Sequence, residues 1–279
     1  MLPGVYIATK KNGTLYYRSN ITFSNKHISL GSYSTEHLAH QAYQEAGSLL
    51  YDLSVSLEDS FLFSTILPFD KVISLLNFRD NHIYFKTPIY LKNNFFLYYV
   101  SKQDELKFDI DDLFYYSSHK IMRRLGHLFV SDYGMQVNIL SRYGIKNYAV
   151  MGRDYCFVNE DTTDYRYSNI IIINPYHGVT KSSLKGIVSY QAKIHINGTF
   201  IVGTYPTVEI AAIAYNKAAD LAKNNGISKN FQTNYIDNYS PREYAEIYST
   251  VKISKKYTNY LASFPHFPTK NKDEVCTAT

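Results

Sequence analysis

The chain has no tryptophan and only two cysteines, Cys156 and Cys276, which are far apart and lack CxxC spacing. Nothing supports a disulfide framework or a thiolate zinc site. Long apolar runs are also missing. The longest aliphatic stretch is Ile170 to Ile173, far short of a bilayer span. The N-terminus, Met1-Leu-Pro-Gly, has no basic stretch leading into an apolar one, so neither a signal peptide nor a membrane partner is predicted, and an intracellular location is expected. Charged residues are scarce at 19%, but hydrophobic residues reach 45%, so a folded chain is expected. The net charge of +5 is compatible with a polyanionic partner without requiring one. Tyrosine is abundant, at 28 of 279 residues. Together with plentiful Asn, Lys, Ile and Phe, this suggests a low-GC genome or a mobile element as the origin.

One passage occurs twice. Gly31, Tyr33, Thr35, Ala39, Ala42, Tyr43 and Ala46 recur as Gly203, Tyr205, Thr207, Ala211, Ala214, Tyr215 and Ala218, always 172 residues later. Ahead of each copy lie alternating segments. Tyr190, Ala192, Ile194 and Ile196 form one strand face and Gln191, Lys193 and His195 the other. In the first copy Tyr17, Ser19, Ile21 and Phe23 oppose Arg18, Asn20 and Thr22. Asn197-Gly198 predicts a two-residue hairpin turn, and the first copy's turn near Ser24-Asn25-Lys26 is read as one residue longer. Thr35 and Thr207 are predicted N-caps, followed by Glu36 and Glu209 at the positive end of the helix dipole. The alanines at i, i+3 and i+7, with Tyr at i+4, form a stripe small enough to lie close on a sheet. A helix covering one side of a three-stranded antiparallel sheet leaves the polar side open to a duplex groove.

The second copy carries Tyr176-His-Gly-Val179, Tyr190-x-Ala-x-Ile194, Gly203-Thr-Tyr205, Thr207-x-Glu209, Ala214-Tyr215 and Asn230-Phe231. It resembles the Apetala-type, or ethylene-response-factor, DNA-binding domain over roughly residues 174–236. The first copy, from Gly4-Val5 through Tyr51, resembles the same family with less of the motif. The resemblance implies docking of the sheet in the major groove. The implied contact positions are Thr180, Lys181, Lys185, Gln191, Lys193, His195, Thr199 and Thr204. In the first copy they are Tyr6, Lys10, Lys11, Arg18, Asn20, Thr22, His27 and Ser32. The family's usual Arg and Trp are absent at several of these positions, which shifts expected readout toward the adenine contacts that Gln and Asn make. The second copy holds Lys181, Lys185, Lys193, Lys217, Lys223 and Lys229 against Glu209 and Asp220, and is expected to carry more of the phosphate binding.

Between the copies, Phe69 to Phe78 behind Pro68 reads as a short helix in a connector. Ile89 to Val100 and Phe108 to Phe114 read as a strand pair and an acidic helix start. Further on stand Leu140-Ser-Arg-Tyr-Gly144, Cys156-Phe-Val-Asn-Glu-Asp161 and Asp164-Tyr-Arg-Tyr-Ser-Asn-Ile170. Their order resembles an HNH-type homing endonuclease domain over roughly residues 85–173. That resemblance implies hydrolysis of a phosphodiester by one divalent metal, a His base and carboxylate or Asn ligands. Ser141, Cys156, Phe157 and Tyr165 stand where the family's catalytic and ligand residues would be. Only Asn169 remains at a metal-site position, and one Asn is a poor site for a hard cation. A rebuilt site would have to draw on His119, His127, Asp154 and Asp161. For His119 and His127 ordinary surface or packing roles are expected, and for Cys156 that of a small core residue.

The reading is therefore an α+β chain with no catalytic residue, no metal ligand and no cofactor. Its expected parts are an Apetala-like module (1–56), a connector (57–84), a degenerate HNH-like ββα domain (85–173), a second module (174–236) and a tail (237–279). The tail is expected to carry a helix from Pro241 behind a Ser240 cap, then a mobile end beyond Ser263. The expected partner is double-stranded DNA, with a protein partner and a metal-dependent nuclease as alternatives.

Overall fold

The computed structural model describes residues 1–63, 65–184 and 186–264. Lys185, Cys276 and nearly all of the segment beyond Ser263 lie outside the described residues. The chain is α+β and forms two compact units: Met1–Tyr143 with Phe157–Ile171, and Gly144–Cys156 with Ile172–Thr279. Among the described residues no helix is long and apolar enough to cross a membrane.

The first unit opens with an antiparallel sheet, β1 (Val5–Thr9), β2 (Leu15–Phe23) and β3 (Lys26–Tyr33), covered on one side by α1 (Glu36–Tyr51). The Thr35 hydroxyl accepts the Leu38 N–H at 3.2 Å and starts α1. The helix buries Ala39, Ala42 and Ala46 completely. Next come α2 (Leu57–Phe63) and α3 (Phe69–Asn81). The second of these runs three residues past the predicted Phe78 and ends at His82 in a left-handed conformation, φ 60°. Val72, Ile73, Leu75 and Leu76 of α3 share one core with Ile21, Ile28 and Leu30 of the sheet and with Ala42, Ala46, Leu49 and Leu50 of α1. Arg79, buried on α3, donates from Nη1 to the carbonyls of Leu49 and Asp52. Its charge thus sits at the C-terminal end of α1, which has no basic residue of its own in its last turn.

The unit continues with a sheet of β4 (Ile89–Leu91), β5 (Phe95–Ser101) and β6 (Asp104–Asp109), helix α4 (Leu113–Ser118), and a sheet of β7 (Ile121–Arg124), β8 (His127–Asp132) and β9 (Met135–Asn138). Phe108 and Asp109 end β6, and the expected acidic helix start follows them: Ile110–Asp112 form a 3-10 turn that leads directly into α4. Phe108 is fully buried and stacks at 5.4 Å on its cross-strand partner Phe96, and this packing holds the segment extended. Two three-residue strands follow, β10 (Tyr155–Phe157) and β11 (Ile170–Ile172). Cys156 is half-buried between buried Tyr155 and Phe157, so alternation turns its thiol away from the side they face.

In the second unit the same module recurs as β12 (Val179–Leu184), β13 (Ile187–His195), β14 (Thr199–Tyr205) and α5 (Val208–Asn224). The Thr207 hydroxyl caps α5 by accepting the Ile210 N–H at 3.2 Å. Ala211, Ala214 and Ala218 are fully buried over Ala192, Ile194 and Val202. Val251, with Tyr257 and Leu261 of α7 (Lys255–Ala262), completes the same core: the Tyr257 ring lies 5.8 Å from Phe200 of β14 and its hydroxyl donates to the Ala218 carbonyl at 2.7 Å. Before α7 stands α6 (Pro241–Thr250), whose Ser240 and Glu243 form a capping box.

Both sheets carry a bulge at the same place. Ser19 pairs with Gly31 and Asn20 with Ser29, which leaves Leu30 extra. Ala192 pairs with Gly203 and Lys193 with Ile201, which leaves Val202 extra. The extra residue is buried in each case. The predicted turn lengths are reversed. Phe23 pairs with Lys26, so Ser24 and Asn25, at φ 44° and 61°, make a two-residue turn. His195 pairs with Thr199, so Ile196, Asn197 and Gly198 make a three-residue one. Ile196 is buried, and seating its side chain in the core takes it out of the ladder, with its N–H on the Gly198 carbonyl.

Candidate nucleic-acid interface

The face of each sheet away from its helix is open. In the second module the register aligns Thr180, Gln191 and Thr204 in one row across three strands. Lys193 with Ile201, and His195 with Thr199, form two further rows. In the first module Tyr6, Arg18 and Ser32 make the corresponding three-strand row, followed by Asn20 with Ser29 and Thr22 with His27. The hairpin ends match with exchanged residues. Thr22 Oγ1 lies 3.2 Å from His27 Nδ1, and His195 Nδ1 lies 3.3 Å from Thr199 Oγ1. Arg18 lies along its own strand and donates from Nε and Nη2 to the Tyr16 hydroxyl at 3.2 and 2.7 Å.

Not every predicted position joins these rows. Lys181 pairs with Tyr190, and residues paired in register share a face, so it lies on the helix side with Ala192. Lys10 and Lys11 lie in the turn between β1 and β2, beyond the three-strand rows. Lys217 is turned from the sheet altogether, with its Nζ on the carbonyls of Ser249 and Val251 at 3.1 and 3.0 Å. Lys229 reaches the His195 carbonyl at 2.8 Å. Lys185 lies outside the described residues. The second module's outward face therefore holds fewer cations than its lysine count predicts.

A glycine fixes where the first strand of each sheet starts. Gly4 and Gly178 have φ of 74° and 72°, and each lies beneath the helix tyrosine, Tyr43 or Tyr215. Their carbonyls accept from the N–H groups of Asn20 and Lys193 at 3.0 and 2.7 Å, the residues of the central strands beside which the bulges fall. In the second module two buried asparagines hold this entry. The Asn234 side chain accepts the His177 N–H at 2.8 Å and donates to the His177 carbonyl at 2.9 Å. Asn216 of α5 does the same for the backbone of Asn234, at 2.9 and 2.8 Å.

The His177 ring lies between Tyr148, 4.5 Å away, and Tyr215, 5.3 Å away, both edge to face. Burial, with the nearby Arg153 guanidinium, lowers its pKa below the usual imidazole value, and Asp154 opposes this only in part. The unfolded chain therefore binds the extra proton below about pH 6.5, and stability falls as pH drops through that value toward the folded-state pKa. We expect urea midpoints measured at pH 5 and pH 8 to differ less in His177→Phe than in the wild type. An equal pH response would mean that other groups set it.

In the middle of the chain, the side chains singled out from the sequence are held by neighbours. Arg142 pairs with buried Asp112 and stacks over Tyr115 at 4.0 Å. Asn169 Oδ1 accepts the Asn159 N–H at 2.9 Å, and its Nδ2 donates to the Asp164 carbonyl at 2.8 Å. Burial alone would raise the Asp164 carboxyl, but three hydrogen bonds from Arg166, two from its guanidinium and one from its N–H, hold it low. Hydrogen bonds from Thr163, helped by Lys107, hold Asp161 at about 2. His119 stacks on Tyr115 and lies 3.6 Å from Asp132, while His127 is exposed. Asp154, buried in the other unit, accepts from Val150, Arg153 and Asn174. Among the described residues no three His, Cys, Asp or Glu side chains converge on a metal position. The chain matches no family model, no curated protein and no solved structure.

Proposed function

We propose that the protein binds duplex DNA through the open sheet faces of its two modules, as a regulator or as an accessory factor of a mobile element or phage. The reading rests on resemblance to the Apetala-type and HNH families, with the HNH-like middle acting as scaffold. One observation carries it: two sheets 172 residues apart in sequence share a bulge, a Gly-under-Tyr contact and a polar three-strand row on the uncovered side. A sheet with one solvated face carries polar residues there whatever its role; what favours a groove reader is that both copies align donors and acceptors in a row across all three strands. Gln191 and Asn20 suit adenine edges, Arg18 suits guanine or phosphate, and the exposed Ile201 suits a thymine methyl. Two modules on one chain raise each other's effective concentration, so modest sites together give useful affinity.

The test is selection of a random duplex library by the full chain in Mg²⁺ at two salt concentrations, with sequencing of retained DNA and of any new ends. We expect intact duplexes with an enriched motif. Retention should fall on the order of a hundredfold between 50 and 200 mM salt if about four phosphates are contacted. New metal-dependent ends would replace this reading with a nuclease. Absence of both retention and ends would shift the same faces to a protein partner, for which the exposed Ile187 and Ile201 are the observation.

A further inference from the structure

A recess of about 220 Å³ opens in the second unit where β12 begins, between the sheet and the segment that carries Tyr148 and Arg153. Its lining includes Arg153, His177, Thr180, Lys193 and His195, with Tyr148 as a wall. No carboxylate lines it among the described residues; Asp154, which acts on His177, is buried and bound through the Nε and Nη2 edge of Arg153. Among the described residues the Nη1 group of Arg153 has no hydrogen-bond partner, and Lys193 has no ion pair. Half of the Arg153 side chain is exposed. His195 uses Nδ1 toward Thr199, which leaves Nε2 available. Donors thus converge on a concave site next to the row Thr180–Gln191–Thr204.

We propose that this recess seats one phosphate group of the nucleic-acid backbone, gripped by Arg153 and Lys193 with His177 and His195 alongside. The proposal rests on the DNA reading and adds to it. It assigns Arg153, which lies outside the repeated module, the role of a phosphate anchor that sets the register of the sheet face on the duplex. Arg presents parallel N–H donors to a tetrahedral oxyanion, and Nη1 is free for this while the other edge is oriented by Asp154. A phosphate held here fixes position, and the neighbouring row is left to read bases.

The experiment titrates the full chain with inorganic phosphate and follows the ring resonances of its nine histidines by NMR. We expect His177 and His195 to shift saturably while the others move little, and Lys193→Gln to weaken saturation about tenfold. Arg153→Gln should weaken it as well. Lys193→Gln, which leaves the Arg153–Asp154 pair intact, guards against misreading a loss of fold. No saturable shift, or equal shifts in all nine rings, overturns the proposal. A second arm measures duplex affinity against salt for the wild type and Lys193→Gln. Loss of one phosphate contact should lessen the log–log slope by about 0.9. Duplex binding with an unchanged slope and no phosphate response defeats the recess and leaves the DNA reading standing. A phosphate response without any duplex binding does the reverse, and identifies the recess as a site for a free anion.

Discussion

Gly178→Ala is expected to destabilise the protein by roughly 3–5 kcal/mol, a large part of the stability of an ordinary domain. Two independent costs add at this residue. The backbone sits at φ 72°, where a Cβ costs about 1–2 kcal/mol. A Cβ there would also lie 2.4 Å from Tyr215 Cδ2 and 2.7 Å from the Lys193 carbonyl oxygen. The tyrosine is buried between sheet and helix and the carbonyl belongs to β13, so neither withdraws easily. Gly4→Ala meets the same φ penalty, but its three nearest contacts are all ring atoms of Tyr43, starting at 2.1 Å. A comparison therefore separates the two costs. Adding Tyr43→Ala to Gly4→Ala should recover part of the loss, whereas adding Tyr215→Ala to Gly178→Ala should recover less, because the Lys193 carbonyl remains. Urea unfolding of the six variants, the four singles and two doubles, gives the result. A loss below about 1 kcal/mol for Gly178→Ala would show that the strand entry shifts without penalty.

Asn234→Ala is expected to cost about 2–4 kcal/mol and to loosen the entry to β12. The substitution removes two hydrogen bonds and strands the N–H and carbonyl of His177 in a partly buried setting, each worth roughly 1–3 kcal/mol when left unpaired. Asn216→Ala should cost a similar amount, because it strips the same two groups from Asn234. The two asparagines act in series, so the double variant should fall short of additivity by about 1 kcal/mol or more. Asn234→Asp should not rescue the first variant, since an oxygen would then face the His177 carbonyl. Amide hydrogen exchange gives the local readout: His177 N–H should exchange faster in either single variant, while amides of the first unit keep their wild-type protection. Uniform acceleration throughout the chain would instead report global destabilisation without a local role for the asparagine relay.

Much of the module architecture is legible from residue pattern, because local chemistry dictates it. The alanine stripes predict which helix face is buried, and Thr35, Thr207 and Ser240 are the caps found. Strand alternation correctly separates Gln191, Lys193 and His195 from Ala192 and Ile194. Those signals act within a turn or a few strand residues, so no distant contact is needed to read them. The reversed hairpin lengths show where local reading stops. Asn197-Gly198 is a strong turn signal on its own, yet the core claims Ile196 and moves the end of the ladder. Packing of Phe108 on Phe96 likewise keeps Phe108 and Asp109 in the strand, so the acidic helix start begins only at Ile110.

The candidate site divides along the same line. Sequence alone determined the repeated unit, its open polar face and most of the residues on that face, since a period of two along a strand fixes which side chains point together. Only the tertiary structure decided the rest. Register placed Lys181 with the helix side, Lys217 was taken up by the carbonyls of Ser249 and Val251, and Arg153 with Tyr148 came from an earlier segment to wall the recess beside His177. No pattern in the chain marks Arg153, because its role depends on which surface residues 144–156 pack against. That choice is made by the burial of Asp154 and its bonds to Asn174 and Val150, a contact between parts of the chain that local periodicity does not encode.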